Sequence, residues 1–414
     1  MWDVVVVGGG AAGLLAAGSA AGCGARVLLL EKMRRPGRKL RITGKGRCNV
    51  TNVAEVNDFI SHFGGNGDWL RPAFEQWFSG DLIAFLEGLG IRLVTERGGR
   101  VFPASGRATD VVDTLVRWVD RAGATVYSES IVDSLLVKNG AICGVSVSGQ
   151  VFKAGRVVLA TGGKSYPATG SSGDGYDLAA RVGHRIVEVR PALVPLEVKE
   201  KFVSGLTGLG LRNIRMKVVA DGEYVAEYFG EFCFESYGVT GPVVLSASGG
   251  VVDALRAGKK VVLSLDLKPA LSEGKLDNRL QRDLDKRARE PMSSVLRGLL
   301  PRPLVRPCLR ACKIQGHRTG SSVKERERRA LVAWMKDVRL TVCGFRPWSE
   351  AIVTAGGVDL AEVNSESFES QLVLGLYIVG ELLDVQADTG GYNLQAAFSS
   401  GWLAGQAAAG NCGP

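Results

Sequence analysis

The pattern of apolar and polar positions divides the chain into regions of different character. Residues 3–7 (DVVVV) form an apolar run of strand length, the pattern of a parallel strand buried on both faces. An Ala-rich helix over 11–23 and a second strand over 26–30 (RVLLL) complete a βαβ unit. Helical spacing returns from 68 to 90, with Trp69, Phe74, Trp77, Phe78, Leu82, Phe85 and Leu86 as its apolar positions. Short strands are expected around 91–94 and 100–102, then a helix at 108–122 and strands near 125–137, 141–147 and 156–160. After Pro191 and Pro195 the pattern alternates, as at 214–219 and 261–267, which predicts a β-rich region. From 269 it becomes Arg-rich and helical, punctuated by Pro291, Pro301, Pro303 and Pro307, and Gly-rich α/β sequence resumes near 350. One nucleotide-binding domain built from 1–190 and 350–414 is therefore expected, interrupted by a β-rich domain (191–268) and an Arg-rich helical domain (269–349).

The first strand runs directly into Gly8-x-Gly10-x-x-Gly13 at the start of the first helix. Gly8 permits the tight turn, Gly10 lets a pyrophosphate approach the backbone, and Gly13 allows close helix–strand packing. The helix N-terminus offers free N–H groups and a positive dipole end. Glu31 closes the second strand eighteen residues after Gly13, where a carboxylate accepts hydrogen bonds from ribose hydroxyls. An isolated glycine motif is also an ordinary turn; strand, helix and acid together make it a dinucleotide site.

Two later segments separate FAD from NAD. RVVLATGG (156–163) is similar to the strand and Thr-Gly turn that return to the dinucleotide in two-dinucleotide-fold flavoproteins, and LGLYIVGE (374–381) is similar to their C-terminal strand. A helix beginning near Asn393 then directs its N-terminus at the pyrimidine end of a flavin, where backbone N–H groups stabilise negative charge at N1/O2. Gly208-x-Gly210 lacks the third glycine, so no second nucleotide domain for NAD(P)H is evident.

Gly37-Arg38-Lys39 followed by TGKGRCNVTN (43–52) resembles the GRCNVTN signature of the BaiN/RdsA family of FAD-dependent, aminoacetone-oxidase-like flavoproteins. GRVFPAS (99–105), GGKSYPATGSSGDGYDLA (162–179), VTAGGV (353–358) and GELLDVQADTGGYNLQAAFSSGWLAG (380–405) extend the resemblance over essentially the whole chain. It implies an α/β, two-dinucleotide-binding (Rossmann-like) FAD domain with an inserted β-rich domain and a small basic helical domain. The cofactor-binding residues it carries, with those read above, are Gly8, Gly10, Ala12, Gly13, Glu31, Lys39, Arg47, Cys48, Asn49, Val132, Thr161, Gly162, Gly380, Glu381, Gly391, Tyr392 and Asn393. Arg47, Cys48 and Asn49 are implied beside the isoalloxazine, and Gly390–Asn393 across from N1/O2. Members of the family reduce activated C=C bonds, in uridine of ribosomal RNA or in the enone system of oxidised bile acids. Where the family usually carries a His in FTHxGxSGP, this chain has Ser236, so chemistry assigned to that His does not transfer.

Cys48 and Tyr166 are the candidates for catalysis. A Cys thiol can supply the proton that ene reduction needs, although the neighbouring Arg47 favours thiolate. Each has a plain packing alternative: Cys48 as a small contact under the flavin, Tyr166 as a loop aromatic. The three histidines, His62, His184 and His317, are scattered and read as surface or loop residues. Cys308, Cys312 and Cys343 lack zinc-site spacing, so no metal is expected.

Composition then limits the classes. With 46% hydrophobic and 22% charged residues the chain is a globular protein rather than a disordered one. The apolar start is broken by glycines and lacks a basic flank, and no run reaches eighteen apolar residues, so a cytoplasmic protein with no membrane partner is expected. Eight dispersed cysteines read as reduced thiols. Residues 279–346 hold 18 Lys/Arg against 6 Asp/Glu, a local excess of 12, so the rest of a chain with net charge +9 is close to −3. That stretch could be a solvated helical surface, or it could attract a polyanion, with Trp334, Phe345 and Trp348 available to stack on bases. Arg326, Arg328 and Arg329 are its candidate RNA contacts. Three functions stay open: a reductase converting uridine to dihydrouridine in ribosomal RNA, a small-molecule ene-reductase or amine oxidase, and a flavin-bearing protein without turnover. In the first two, NAD(P)H would reduce FAD and leave before the acceptor binds.

Overall fold

In a computed structural model, residues 1–410 are described. They form two compact units, Met1–Pro191 with residues 348–410, and Ala192–Pro347. In the first unit, five parallel strands lie in the order Thr125–Tyr127, Val27–Leu30, Trp2–Val7, Gln150–Leu159, Leu376–Ile378. The register aligns Val7 with Leu30 and with Leu159, and Leu159 with Ile378, so these four strands end level with one another. Val4–Val7, Val27–Leu30 and Val157–Leu159 are buried on both faces, as their unbroken apolar runs require. An antiparallel pair, Ser134–Lys138 and Ala141–Val147, extends the sheet from the first half of Gln150–Leu159.

The segment 68–90, expected to be helical, is helical in pieces. A 3₁₀ turn (Gly64–Leu70) leads into Arg71–Gln76, and a second helix runs from Ser79 to Gly88. Trp77 and Phe78 are extended because the Asp81 carboxylate accepts the Phe78 N–H (2.7 Å), starting a new helix. Trp77 stacks instead on Trp402 (5.0 Å between centroids, 8°).

The second unit is a closed antiparallel barrel, Leu196–Val198, Gly238–Thr240, Glu223–Glu235, Gly210–Ala220, Val261–Asp266, Val338–Phe345, closing on the first strand. Its helices include Glu273–Lys286, Arg302–Ala311 and Glu325–Lys336. The strand Val338–Phe345, expected within the helical region, completes the barrel, because its alternating Val338, Leu340 and Val342 face inward. Strands and helices share a single apolar core, from Leu196 through Leu304 and Leu309 to Val342.

His184 lies in a loop, between Asp174–Arg181 and Ile186–Ala192, as expected, but not at the surface. Its side chain is fully buried, with Nδ1 2.9 Å from Glu362 Oε2 and Nε2 2.8 Å from Ser370 Oγ. Ser370 Oγ already accepts the N–H groups of Leu372 and Val373, so its proton goes to Nε2 and His184 donates from Nδ1 to Glu362. His62 stacks on Tyr392 (4.0 Å, 19°) and faces Asp388. Among the described residues Cys48, Cys143, Cys308, Cys312 and Cys343 are reduced thiols, whereas Cys23, read as reduced, is disulfide-bonded.

Burial lowers the His184 pKa below its ordinary value, against the opposing pull of Glu362. The unfolded chain therefore binds this proton more readily than the folded one. Stability from His184 is complete above about pH 6.5 and declines as pH falls below it. Urea unfolding across pH 5–7.5 is expected to show this decline in the wild type and a flatter profile in His184→Gln; equal slopes would contradict it.

Candidate active site

Four parallel strands ending level place four turns side by side. Gly8–Gly10 follows Trp2–Val7, Glu31 follows Val27–Leu30, Thr161–Gly162 follows Gln150–Leu159, and Gly380–Glu381 follows Leu376–Ile378. This is the carboxyl edge of the sheet, where open α/β folds bind ligands. Glycine is required twice in the first turn. A Cβ on Gly8 (φ +100°) would sit 2.5 Å from Ala160 O, and one on Gly13 would sit 1.8 Å from Gly8 O. Nothing lies within 4 Å of a Cβ placed on Gly10, so its backbone is open to a close-approaching group. Glu31 is held by two backbone N–H groups, Gly9 to Oε2 and Met33 to Oε1, each at 2.7 Å. Its pKa is raised by burial and pulled back by those two bonds; each oxygen keeps a further lone pair for a hydroxyl.

The helices Ala11–Gly22 and Tyr392–Ala409 touch backbone to backbone. A Cβ on Gly401 would lie 2.1 Å from Ala12 O, and one on Gly405 2.4 Å from Ala16 O. The pairs 12/401 and 16/405 advance together, so the helices run in the same direction. Counting back from the Ala12–Gly401 contact, the C-terminal helix begins about eight residues earlier, so the two N-termini are staggered by about 12 Å. Neither has a side-chain cap, and neither carries an acid in its first turn. Two positive helix ends thus face the same way at different depths.

Lys39 and Glu381, 342 residues apart, form an ion pair at 2.6 Å. Lys39 Nζ also reaches Ser165 Oγ (2.5 Å), while Glu381 Oε1 accepts from Ser165 Oγ (3.0 Å) and Thr354 N (2.9 Å). Ser165 and Thr354 were not singled out from sequence. Neither was Gln395, whose Oε1 accepts from Thr51 Oγ1 at 2.6 Å.

Several expected roles change. Arg47 does not act on Cys48: its guanidinium pairs with Glu96 (2.5 Å) and lies 4.3 Å from the centroid of Phe102. Cys48 (φ +59°) has 0% exposure, and burial pushes its thiol up to about 12. A thiol with no exposed surface presents nothing to an acceptor, which favours the packing alternative for Cys48. Asn393 clamps a loop, accepting from Ala387 N (2.8 Å) and donating to Ala387 O (2.9 Å) and Asp388 O (3.2 Å), so its backbone rather than its side chain faces outward from the helix end. The Tyr392 ring is buried between Phe59 and His62. Val132 is buried in the core. Tyr166 is half-buried in a left-handed conformation (φ +51°), its N–H bonded to Trp348 O.

In the second unit, Arg326, Arg328 and Arg329 do not form the exposed triplet expected. Arg328 is drawn onto the helix Glu273–Lys286, where it forks onto Asp277 (2.7 and 3.0 Å) and bonds Gln281; Arg329 pairs with Glu325 (2.5 Å). Trp334 and Phe345 pack on the core, and Trp348 belongs to the other unit beside Lys164 Nζ, 5.5 Å away. Among the described residues no His/Cys/Asp/Glu group suits a metal ion, and no helix is long and apolar enough to cross a membrane.

The residues fit FAD. An open backbone at Gly10, a carboxylate with spare lone pairs at Glu31, two staggered uncapped helix ends, and a buried Asn49 Oδ1 without a partner are the features that an adenosine, a pyrophosphate and a flavin ring would engage. The fold and site are those of a Rossmann-type FAD-dependent oxidoreductase. The chain belongs to the family described as HI0933-like protein Rossmann domain, whose model matches residues 2–407. It is 34% identical over 407 residues, 98% of each chain, to a 3-dehydro-bile acid delta(4,6)-reductase of Clostridium scindens. It is 29% identical over 98% of its length, and 97% of the relative, to the ribosomal RNA dihydrouridine synthase of Escherichia coli. A 3-ketosteroid delta1-dehydrogenase of Sterolibacterium denitrificans shares the fold, with a TM-score of 0.53, 14% identity and 99% coverage of each chain.

Cys48→Ala is expected to lower stability by roughly 1 kcal/mol, as small core truncations do, while leaving the rate of acceptor-driven flavin reoxidation unchanged. Rapid mixing measures that rate. A tenfold slowing would restore the thiol to catalysis.

Proposed function

We propose that this chain is an ene-reductase for which NAD(P)H is the hydride source, FAD the carrier and a C=C bond conjugated to a carbonyl the acceptor, with uridine in ribosomal RNA as the substrate. Two relatives matched over nearly the whole chain have names that describe reduction of such a bond, a dihydrouridine synthase and a delta(4,6)-reductase; that shared chemistry carries the reading. FAD, when bound, supplies reversible hydride transfer. The chain's residues hold and polarise. Glu31 accepts from ribose hydroxyls, and the first turn of Ala11–Gly22 meets the pyrophosphate. Asn49 Oδ1 accepts from the ring system, and the first turn of Tyr392–Ala409 holds negative charge at its pyrimidine end. Lys39, on the helix Arg38–Ile42, fixes that helix to the strand-end turn at Gly380–Glu381. Tyr166, with exposed surface where Cys48 has none, is the candidate proton donor.

The excess of Lys/Arg over 279–346 supports the RNA substrate. The higher identity to the bile acid reductase supports a second reading, a small conjugated enone. Mass spectrometry of ribosomal RNA nucleosides from a strain lacking the gene and from its parent separates them. Loss of dihydrouridine from ribosomal RNA is expected; intact dihydrouridine, with turnover of a conjugated dienone by the purified holoenzyme, would favour the second.

A further inference from the structure

The basic excess is not spread evenly within its segment. Residues 291–324 contain seven Lys/Arg and no Asp or Glu in 34 positions. The acids lie in the flanking helices, and there they neutralise their own neighbours: Asp283 holds Arg279, Asp277 holds Arg328, and Glu327 holds Arg318. Of the cations left without a carboxylate partner, three stand together on the helix Arg302–Ala311. Arg302, Arg306 and Arg310 stand at i, i+4 and i+8, which places them along one stripe about 6 Å apart. All three are exposed, and none forms an ion pair or side-chain hydrogen bond among the described residues. Lys313, exposed just past the helix, adds a fourth cation nearby. The opposite face, Leu304, Val305, Cys308 and Leu309, is buried in the unit's core.

Three unpaired guanidinium groups side by side repel one another and gain nothing within the fold, since paired surface charges alone are worth only about 0–1 kcal/mol. Their planar forks suit phosphate oxygens. We infer that the stripe Arg302–Arg306–Arg310 is a docking surface for the sugar–phosphate backbone of RNA; this rests on the ribosomal RNA reading above. An anionic membrane is the less suitable partner. A helix that binds one inserts its apolar face, and here that face is already committed to the core.

The test uses full-length, FAD-loaded protein and unmodified ribosomal RNA transcripts, with affinity measured between 50 and 200 mM salt. For Arg302→Ala/Arg306→Ala/Arg310→Ala, the slope of log K against log[salt] is expected to shrink by about 2, if each arginine neutralises one phosphate. FAD content, melting temperature and NAD(P)H-driven flavin reduction should be unchanged, and the charge control Arg326→Ala/Arg329→Ala should alter the slope far less. Wild-type protein that binds RNA while the triple variant keeps the wild-type slope, or loses no more than the control, overturns the stripe and leaves the substrate reading intact. Wild-type protein without salt-dependent affinity for the transcript overturns that reading and the stripe with it. Loss of binding to phosphatidylglycerol vesicles in the triple variant, with RNA affinity unchanged, would reassign the stripe to a membrane.

Discussion

The site depends on one close contact, the backbone-to-backbone packing of helices Ala11–Gly22 and Tyr392–Ala409 at Gly401 and Gly405. Side chains at those two positions would collide with the carbonyls of Ala12 and Ala16, so the spacing between the helices is set by the absence of Cβ atoms. Gly13 presses the first helix onto the turn at Gly8, and at Gly380 (φ +69°), just past the last parallel strand, an added Cβ would sit 3.0 Å from Ala12 Cβ. Residues from the two ends of the chain are thereby fixed around the carboxyl edge of one sheet. Two uncapped helix ends, which would otherwise leave their N–H groups to water, become the positive poles of a binding groove.

Around that frame the polar groups divide into those consumed by structure and those left available. Lys39, Glu381, Ser165 and Thr354 satisfy one another, and Asn393 ties down its own loop. Asn49 Oδ1 is buried without a partner, and Glu31 has spare acceptor capacity. Charge in the second unit divides in the same way. Most arginines of the helices flanking 291–324 are neutralised by neighbouring carboxylates, and those of Arg302–Ala311 are not.

The strand–turn–helix at the start was legible because each of its glycines answers a local steric demand that sequence spacing expresses. The C-terminal helix was placed within one residue of its start, Tyr392 rather than Asn393. Burial was harder to see. Cys48 sits next to an arginine in sequence, yet its surroundings are apolar, because Arg47 turns away to Glu96 and Phe102. His184 is the loop residue it looked like, but its burial was hidden because its partners, Glu362 and Ser370, are 178 and 186 positions away. Arg326, Arg328 and Arg329 looked equivalent because nothing in their spacing reveals that Asp277 comes to meet one of them. Pairing between distant elements is the common factor in these misreadings.

The central claim is that the helix crossing holds the FAD site together, and Gly401→Ala tests it most directly. One added methyl would meet Ala12 O at 2.1 Å, so the helices must part and their N-termini shift. Gly249→Ala, where a Cβ meets nothing within 4 Å, serves as the control. FAD affinity, measured by titrating the deflavinated proteins while circular dichroism confirms folding, is expected to fall at least tenfold in Gly401→Ala and to stay at the wild-type value in Gly249→Ala. Wild-type FAD affinity in Gly401→Ala would contradict the account.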